Sequence, residues 1–314
     1  MKHRASFADN LRCFGVIATL AIGCVLAAPA SAGCSPAAAM HDQLKLLKRD
    51  KWQSVQDAVR QTMSIDLLDC LGAPDPVLRD ELTFEALSAW MRGKQLTPET
   101  LRTINGKLQA VLNESKSAAG GFADAAGFLQ PFAALTLAEI ARADRVQAFL
   151  TDKELDGLVG TATNYLNKVG DYRGYVEGEG WRHGVAHGAD LMLQLSLNPR
   201  LTRSQLDRIM AAVASQVAPR GDHFYHYHEG ERLMAPVFYI AKRSVYDAKD
   251  WQGWINSLMQ PTEAKPTVSQ ATLARRHNLS GFLLPLYFSL RESGDTQQQE
   301  RLLPATTKAL KALD

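Results

Sequence analysis

"LTPETLRTINGKLQAVLN", Leu96–Asn113, sets Leu101, Ile104, Leu108, Val111 and Leu112 three and four residues apart, the spacing of one buried helical face. Thr97 followed by Pro98 is a helix start: the hydroxyl caps a free N–H, and proline needs none at the first turn. The pattern returns as "LTDKELDGLVGTATNYLN" from Leu150 and "LTRSQLDRIMAAVASQVA" from Leu201. Thr151 with Glu154, and Thr202 with Gln205, predict capping boxes. The three starts stand 54 and 51 residues apart, room for a helical hairpin in each repeat. Breakers such as Gly72-Ala73-Pro74, Gly120-Gly121, Asn198-Pro199 and Pro219-Arg220-Gly221 separate the periodic stretches, and no segment reads as a strand. The expectation is an all-α array of antiparallel hairpins, an α/α superhelix of roughly twelve helices, each burying its apolar face on the next. The last helices are expected near 231–245, 275–292 and 296–313, with "LSGFLLPLYFSL" (279–290) in the interior.

Residues 1–32 read as a cleaved signal peptide, leaving 33–314 as a single helical domain. Lys2, Arg4 and Arg12 form the basic start, Phe14 to Ala28 is apolar, and Ala30-Ser31-Ala32 supplies the small residues read at cleavage. The apolar run is too short to span a bilayer, so a periplasmic or secreted chain is expected, with no span in the mature part. Of 35 basic and 33 acidic residues, three and one leave with the signal, so the mature chain carries 32 of each. That balance recommends neither nucleic acid nor an anionic membrane as partner. Cys34 and Cys70 remain after cleavage, and an oxidising compartment allows either a disulfide between them or two free thiols.

The chemistry gathers in "DYRGYVEGEGWRHGVAHGAD", residues 171–190. On a helix from Gly180 to Leu197, His183, His187, Asp190 and Gln194 share one stripe, with Trp181, Val185 and Met192 opposite. Twelve residues before the three capping threonines stand Glu85, Glu139 and Asp190, a recurrence that favours a structural bond for Asp190. Where this repeat has its histidines the earlier ones have Leu78 and Leu82, then Phe132 and Thr136. Two imidazoles one turn apart can share a divalent metal such as zinc, with Asp190 as a carboxylate ligand. Gly184 stands where a zinc-protease motif needs Glu, so that chemistry is excluded; "DHFYHYHEGER" (222–232) offers further ligands. A hydrogen-bonded polar cluster that fixes helix packing is the alternative. Metal-free acid–base chemistry is a third reading, with Asp171, Glu177 and Glu179 beside Tyr172, Tyr175 and Trp181, as in glycan-cleaving sites. No nucleophile elbow, phosphate loop or dinucleotide fingerprint occurs.

Asp171, Arg173-Gly174-Tyr175-Val176, Gly180-Trp181, His183, Ala186-His187, Ala189-Asp190 and, downstream, Glu231-Arg232-Leu233 resemble the signature of a bacterial family known as domain of unknown function twenty-seven eighty-five. The resemblance covers about residue 75 onward and implies a HEAT- or armadillo-like helical array without an established activity. Two functions are expected to compete. One is an exported binding protein holding a small molecule, glycan or peptide through Asp171, Arg173, Tyr175, Trp181, Asp190, Glu231 and Arg232. The other is a hydrolase or lyase, metal-assisted or glycan-cleaving, with His183 or His187 as base and Glu177, Glu179 or Glu229 as acid or ligand. Arg232 is expected to pair with Asp190 or Glu179.

Overall fold

A computed structural model describes residue 34 and residues 37–114, 127–260 and 268–313. The signal-peptide reading at 1–32 therefore lies outside the described residues. The fold is all-α. Its helices are α1 (Ala37–Arg49), α2 (Asp57–Asp66), α3 (Glu85–Arg92), α4 (Pro98–Asn113), α5 (Leu129–Val146) and α6 (Asp152–Lys168). Then follow α7 (Gly184–Ser196), α8 (Arg203–Val217), α9 (Glu229–Ala241), α10 (Ala248–Met259), α11 (Gln270–Glu292) and α12 (Thr296–Lys311). A 3₁₀ segment, Leu67–Gly72, and a π-helical segment, Val77–Phe84, lead into α3.

The hairpin starts form as their threonines direct. The Thr97 hydroxyl accepts the Thr100 N–H with Pro98 in the first turn, and Thr151/Glu154 and Thr202/Gln205 close complete capping boxes. One row of helices runs α3, α5, α7, α9, α11, each packed on the next; α2, α4, α6 and α8 form a second row beside it. Leu137, Ile140, Leu158, Leu191, Leu195, Ile209 and Leu233 are among the fully buried side chains between the rows. Cys34 and Cys70 are joined by a disulfide, fastening the chain before α1 to the 3₁₀ segment.

The recurring acid has one job in each repeat. Glu85 pairs with Lys48 of α1 at 2.8 Å, Glu139 with Arg92 of α3, and Asp190 with Arg232 of α9 at 2.9 Å. The Glu139 and Asp190 pairs join neighbouring helices of the first row, and the Glu85 pair ties α3 to α1 outside it.

The stretch 279–290 is not interior as expected, since Leu284 and Phe288 stand 56 % and 66 % exposed on one side of α11; local order departs from expectation at two further places. The expected helix from Gly180 begins only at Gly184, and the segment before it is a two-stranded ribbon rather than strand-free coil. Its strands are β1 (Tyr175–Val176) and β2 (Gly180–Trp181), antiparallel, with Tyr175 opposite Trp181. Gly178 and Gly180, both at φ near +79°, turn the chain where a side chain would strain it. Near the C-terminus, the helix expected at 231–245 starts at Glu229 and stops at Ala241, and α10 follows separately.

Candidate functional site

The ribbon continues its ladder through Arg182 N–H to Gly174 O and His183 N–H to Arg173 O, then releases the chain into α7. His183 is the N-cap of α7 in the left-handed region, φ 56°. His228 occupies the same place before α9, φ 63°. Such backbone is costly for a residue with a side chain and persists where the surroundings hold it. Two adjacent helices of one row are thus entered through a left-handed histidine.

This geometry moves His183 off the expected helical stripe. Its ring stacks on Trp181, centroids 4.6 Å apart and 23° between planes, so Trp181 does not occupy the opposite, core-facing side. His183 Nε2 lies 3.2 Å from Tyr227 O and 3.6 Å from Glu229 Oε1. Glu229 is buried, and its other oxygen accepts the Tyr227 N–H at 2.8 Å. Burial would raise the Glu229 carboxyl, but His183 and the backbone N–H groups of Glu229 and Tyr227 hold it below its ordinary value. Tyr227 fits because residue 174 is glycine: a methyl there would stand 2.0 Å from its ring.

His187 lies one turn deeper. Its ring meets Phe132 at 5.1 Å and His183 at 5.8 Å, both edge-on. One ring nitrogen donates to the Pro131 carbonyl, and Nδ1 has no partner among the described residues. Burial, then the neighbouring His183 and the Arg232 charge, push its pKa down to about 3, so it is a neutral imidazole. Asp190 follows on the next turn. Burial raises its carboxyl to about 6, against the opposing pull of Arg232 and His183.

The remaining expected residues are placed as follows. Tyr175 and Trp181 are 46 % and 37 % exposed and pack edge to face at 5.3 Å, an aromatic shelf over His183. Tyr227 closes its inner side, 5.4 Å from Trp181. Asp171 and Arg173 pair with each other, and although burial would raise the Asp171 carboxyl, Arg173 holds it low. Glu179 pairs with Arg182, not with Arg232, and its carbonyl accepts from the buried Arg79. Glu177 is exposed at the ribbon turn, and Glu231 pairs with exposed His228 at 3.1 Å. The structure therefore gathers Trp181, His183, His187, Asp190, Arg232 and Glu229, while Glu177, Glu179 and Glu231 stand apart from that group.

Tyr227 and Phe132 are site residues the sequence reading did not single out. The signal for Tyr227 was present: "YHEGERL" repeats the His-then-helix entry of "RHGVAHGAD". Among the described residues no three His, Cys, Asp or Glu side chains converge to hold a metal ion. His183 faces Tyr227 and Glu229, and the Asp190 carboxylate faces Arg232.

The model of the family described as "Protein of unknown function (DUF2785)" matches residues 121–288, a span that includes the ribbon, both left-handed histidines and α5 to α9. The chain belongs to this family. No curated protein and no solved structure matches the chain. For this member of DUF2785, the matched span contains every residue of the gathered group. Among the described residues, no helix is long and apolar enough to cross a membrane.

Proposed function

We propose that this DUF2785 member is an exported binding protein whose ligand rests on the Tyr175–Trp181 shelf. The observation that carries the reading is the pairing of two exposed rings with a histidine fixed from behind by Glu229, beside the half-exposed Arg232. Exposed aromatic area supplies contact, and a few fixed polar groups supply orientation. A ligand with a flat apolar face and hydroxyl or carboxylate groups, such as a glycan or a peptide, matches that surface. The Cys34–Cys70 disulfide and the signal-like first 32 residues support an oxidising compartment outside the cytoplasm. N-terminal sequencing of exported protein is expected to begin at Gly33; retention of Met1 removes the export part.

The binding part is tested by titrating oligosaccharides and peptides into the mature chain. A ligand whose affinity drops at least about tenfold in Trp181→Ala, with melting temperature unchanged, supports it. A ligand indifferent to Trp181, Tyr175 and Arg232 refutes it.

One observation favours a hydrolase or lyase as the second reading. Glu229 is held low while Asp190 is raised to about 6, two carboxyl groups driven apart beside one imidazole. In that case His183 is the base oriented by Glu229, and Asp190 is the acid. Turnover that disappears in Glu229→Gln while ligand binding survives would select this reading over simple binding.

A further inference from the structure

The second row of helices has a break. α4 packs on α6 and α6 on α8, and α10 packs on α12, but α8 and α10 do not close on one another in the same way. They are joined by side chains. Trp254 Nε1 donates to Met210 O at 3.3 Å, and Arg203 of α8 reaches Asp250 of α10 at 3.3 Å. Between the two helices lies a groove of about 490 Å³.

Its walls divide by chemistry. Met210, Ala214 and Trp254 line it with apolar surface, and exposed Ala211 stands at its rim. At one end Arg203 lies over the Tyr246 ring, 3.9 Å to the centroid, and pairs with both Asp207, at 3.0 Å, and Asp250. The Tyr246 hydroxyl donates to Asp207 at 2.7 Å, and burial keeps that phenol neutral by raising its pKa. The ionisable side chains lining the groove are therefore one guanidinium and two carboxylates, a surplus of one negative charge. Tyr246, Trp251 and Trp254 follow one another at 5.2 and 6.2 Å, so the surplus sits beside a run of ring faces.

We propose that this groove is a second ligand site, separate from the Trp181 shelf, for an alkyl or quaternary ammonium compound. The apolar body lies along Met210, Ala211 and Ala214, and the cation faces Trp254 within reach of Asp250 and Asp207. Aromatic faces flanked by carboxylates attract such cations because ring quadrupole and acid act in the same direction. Arg203 over Tyr246 shows the same attraction satisfied internally. It also makes Arg203 a competitor, since it neutralises acid that the ligand needs.

That competition gives a test whose sign is diagnostic. Choline and its neutral isostere 3,3-dimethylbutan-1-ol are titrated calorimetrically into the disulfide-intact chain. Choline is expected to bind saturably, and the alcohol roughly tenfold more weakly or not at all. Ala211→Phe, at an exposed position where folding is not at risk, fills the groove and is expected to abolish the choline signal. Trp254→Leu is expected to weaken it roughly tenfold. Arg203→Gln is expected to tighten it several-fold, because a repulsive charge leaves the groove and Asp207 and Asp250 lose their ion-pair partner. No saturable heat with choline, equal binding of the alcohol, or weakening in Arg203→Gln overturns the proposal.

Discussion

The Arg232 guanidinium meets the Asp190 carboxylate at 2.9 Å across the contact between α7 and α9. The acid is mostly buried and the base half-exposed, so the pair is a buried charge answered from the surface. Arg232→Ala leaves that carboxylate without its partner. The expected loss is about 2 kcal/mol at pH 8, a drop of a few degrees in melting temperature.

The pH dependence of this loss follows from the raised carboxyl. Folded Asp190 titrates near 6, above the roughly 3.9 of an unfolded chain. Its contribution is stabilising below about pH 4 and is lost as pH rises through 6. Without Arg232 the carboxyl climbs further, so the variant should differ most from the parent above pH 7 and converge with it toward pH 4. In an Asp190→Asn background, Arg232→Ala should cost little at any pH. Thermal melts of the four proteins across this range decide the point.

His187 has the opposite sign. Its folded pKa near 3 lies below the roughly 6.5 of a free imidazole, so the folded state resists the proton. Stability from this group is complete above pH 6.5 and drains away as pH falls toward 3, at no more than about 1.4 kcal/mol per pH unit. His187→Phe keeps a ring against Phe132 and removes the titration. Urea melts are expected to show a lower stability at pH 7 and a flatter acid limb; an unchanged acid slope would show that another group dominates.

Gly174 controls whether the site assembles. Adding a methyl drives the Tyr227 ring from its seat, and with it the carbonyl that faces His183. Gly174→Ala is expected to alter the fluorescence of Trp181, which packs on both rings, and to lower the melting temperature. Gly174→Ala combined with Tyr227→Ala should recover the stability and not the site. A single substitution with parental fluorescence would contradict this account.

The Cys34–Cys70 crosslink closes a separation of 36 residues. Loop-closure entropy makes its removal cost about 4 kcal/mol at most. Cys34→Ser, or reduction of the parent, is expected to lower the melting temperature by several degrees, and the reductant should have no effect on the variant.

The sequence disclosed the helical repeat because its signals are local. Thr151 and Glu154 find one another within a single turn, and Leu101, Ile104 and Leu108 share a face by spacing alone. A structural bond for Asp190 was legible from the acid that recurs at one register of each repeat, but Arg232 could be matched to Asp190 or to Glu179, and only the fold selects Asp190. The stance of His183 was not. Helical periodicity carried backward from α7 ran past Gly184, whereas the ribbon depends on the turn at Gly178 and on Tyr227, 44 residues beyond His183. The glycines and the Tyr-Val and Trp around them are a short hairpin signal that amphipathic spacing outweighed. Glu177 and Glu179 were grouped with the histidines by proximity in sequence, which a tight turn defeats.

Both α7 and α9 are entered through a histidine whose backbone would be more comfortable as glycine. Replacing His228 by Gly relieves local strain and removes only an exposed ion pair, so it should be tolerated or even harden the chain toward heat, whereas His183→Gly also strips the buried Glu229 carboxylate of its partner and should lower the melting temperature. His228→Gly is then a folded blank for this protein, and His183→Gly is one whose folding is checked first by its melting temperature. A ligand or reaction lost in the His183 blank and kept in the His228 blank would identify which doorway the family uses.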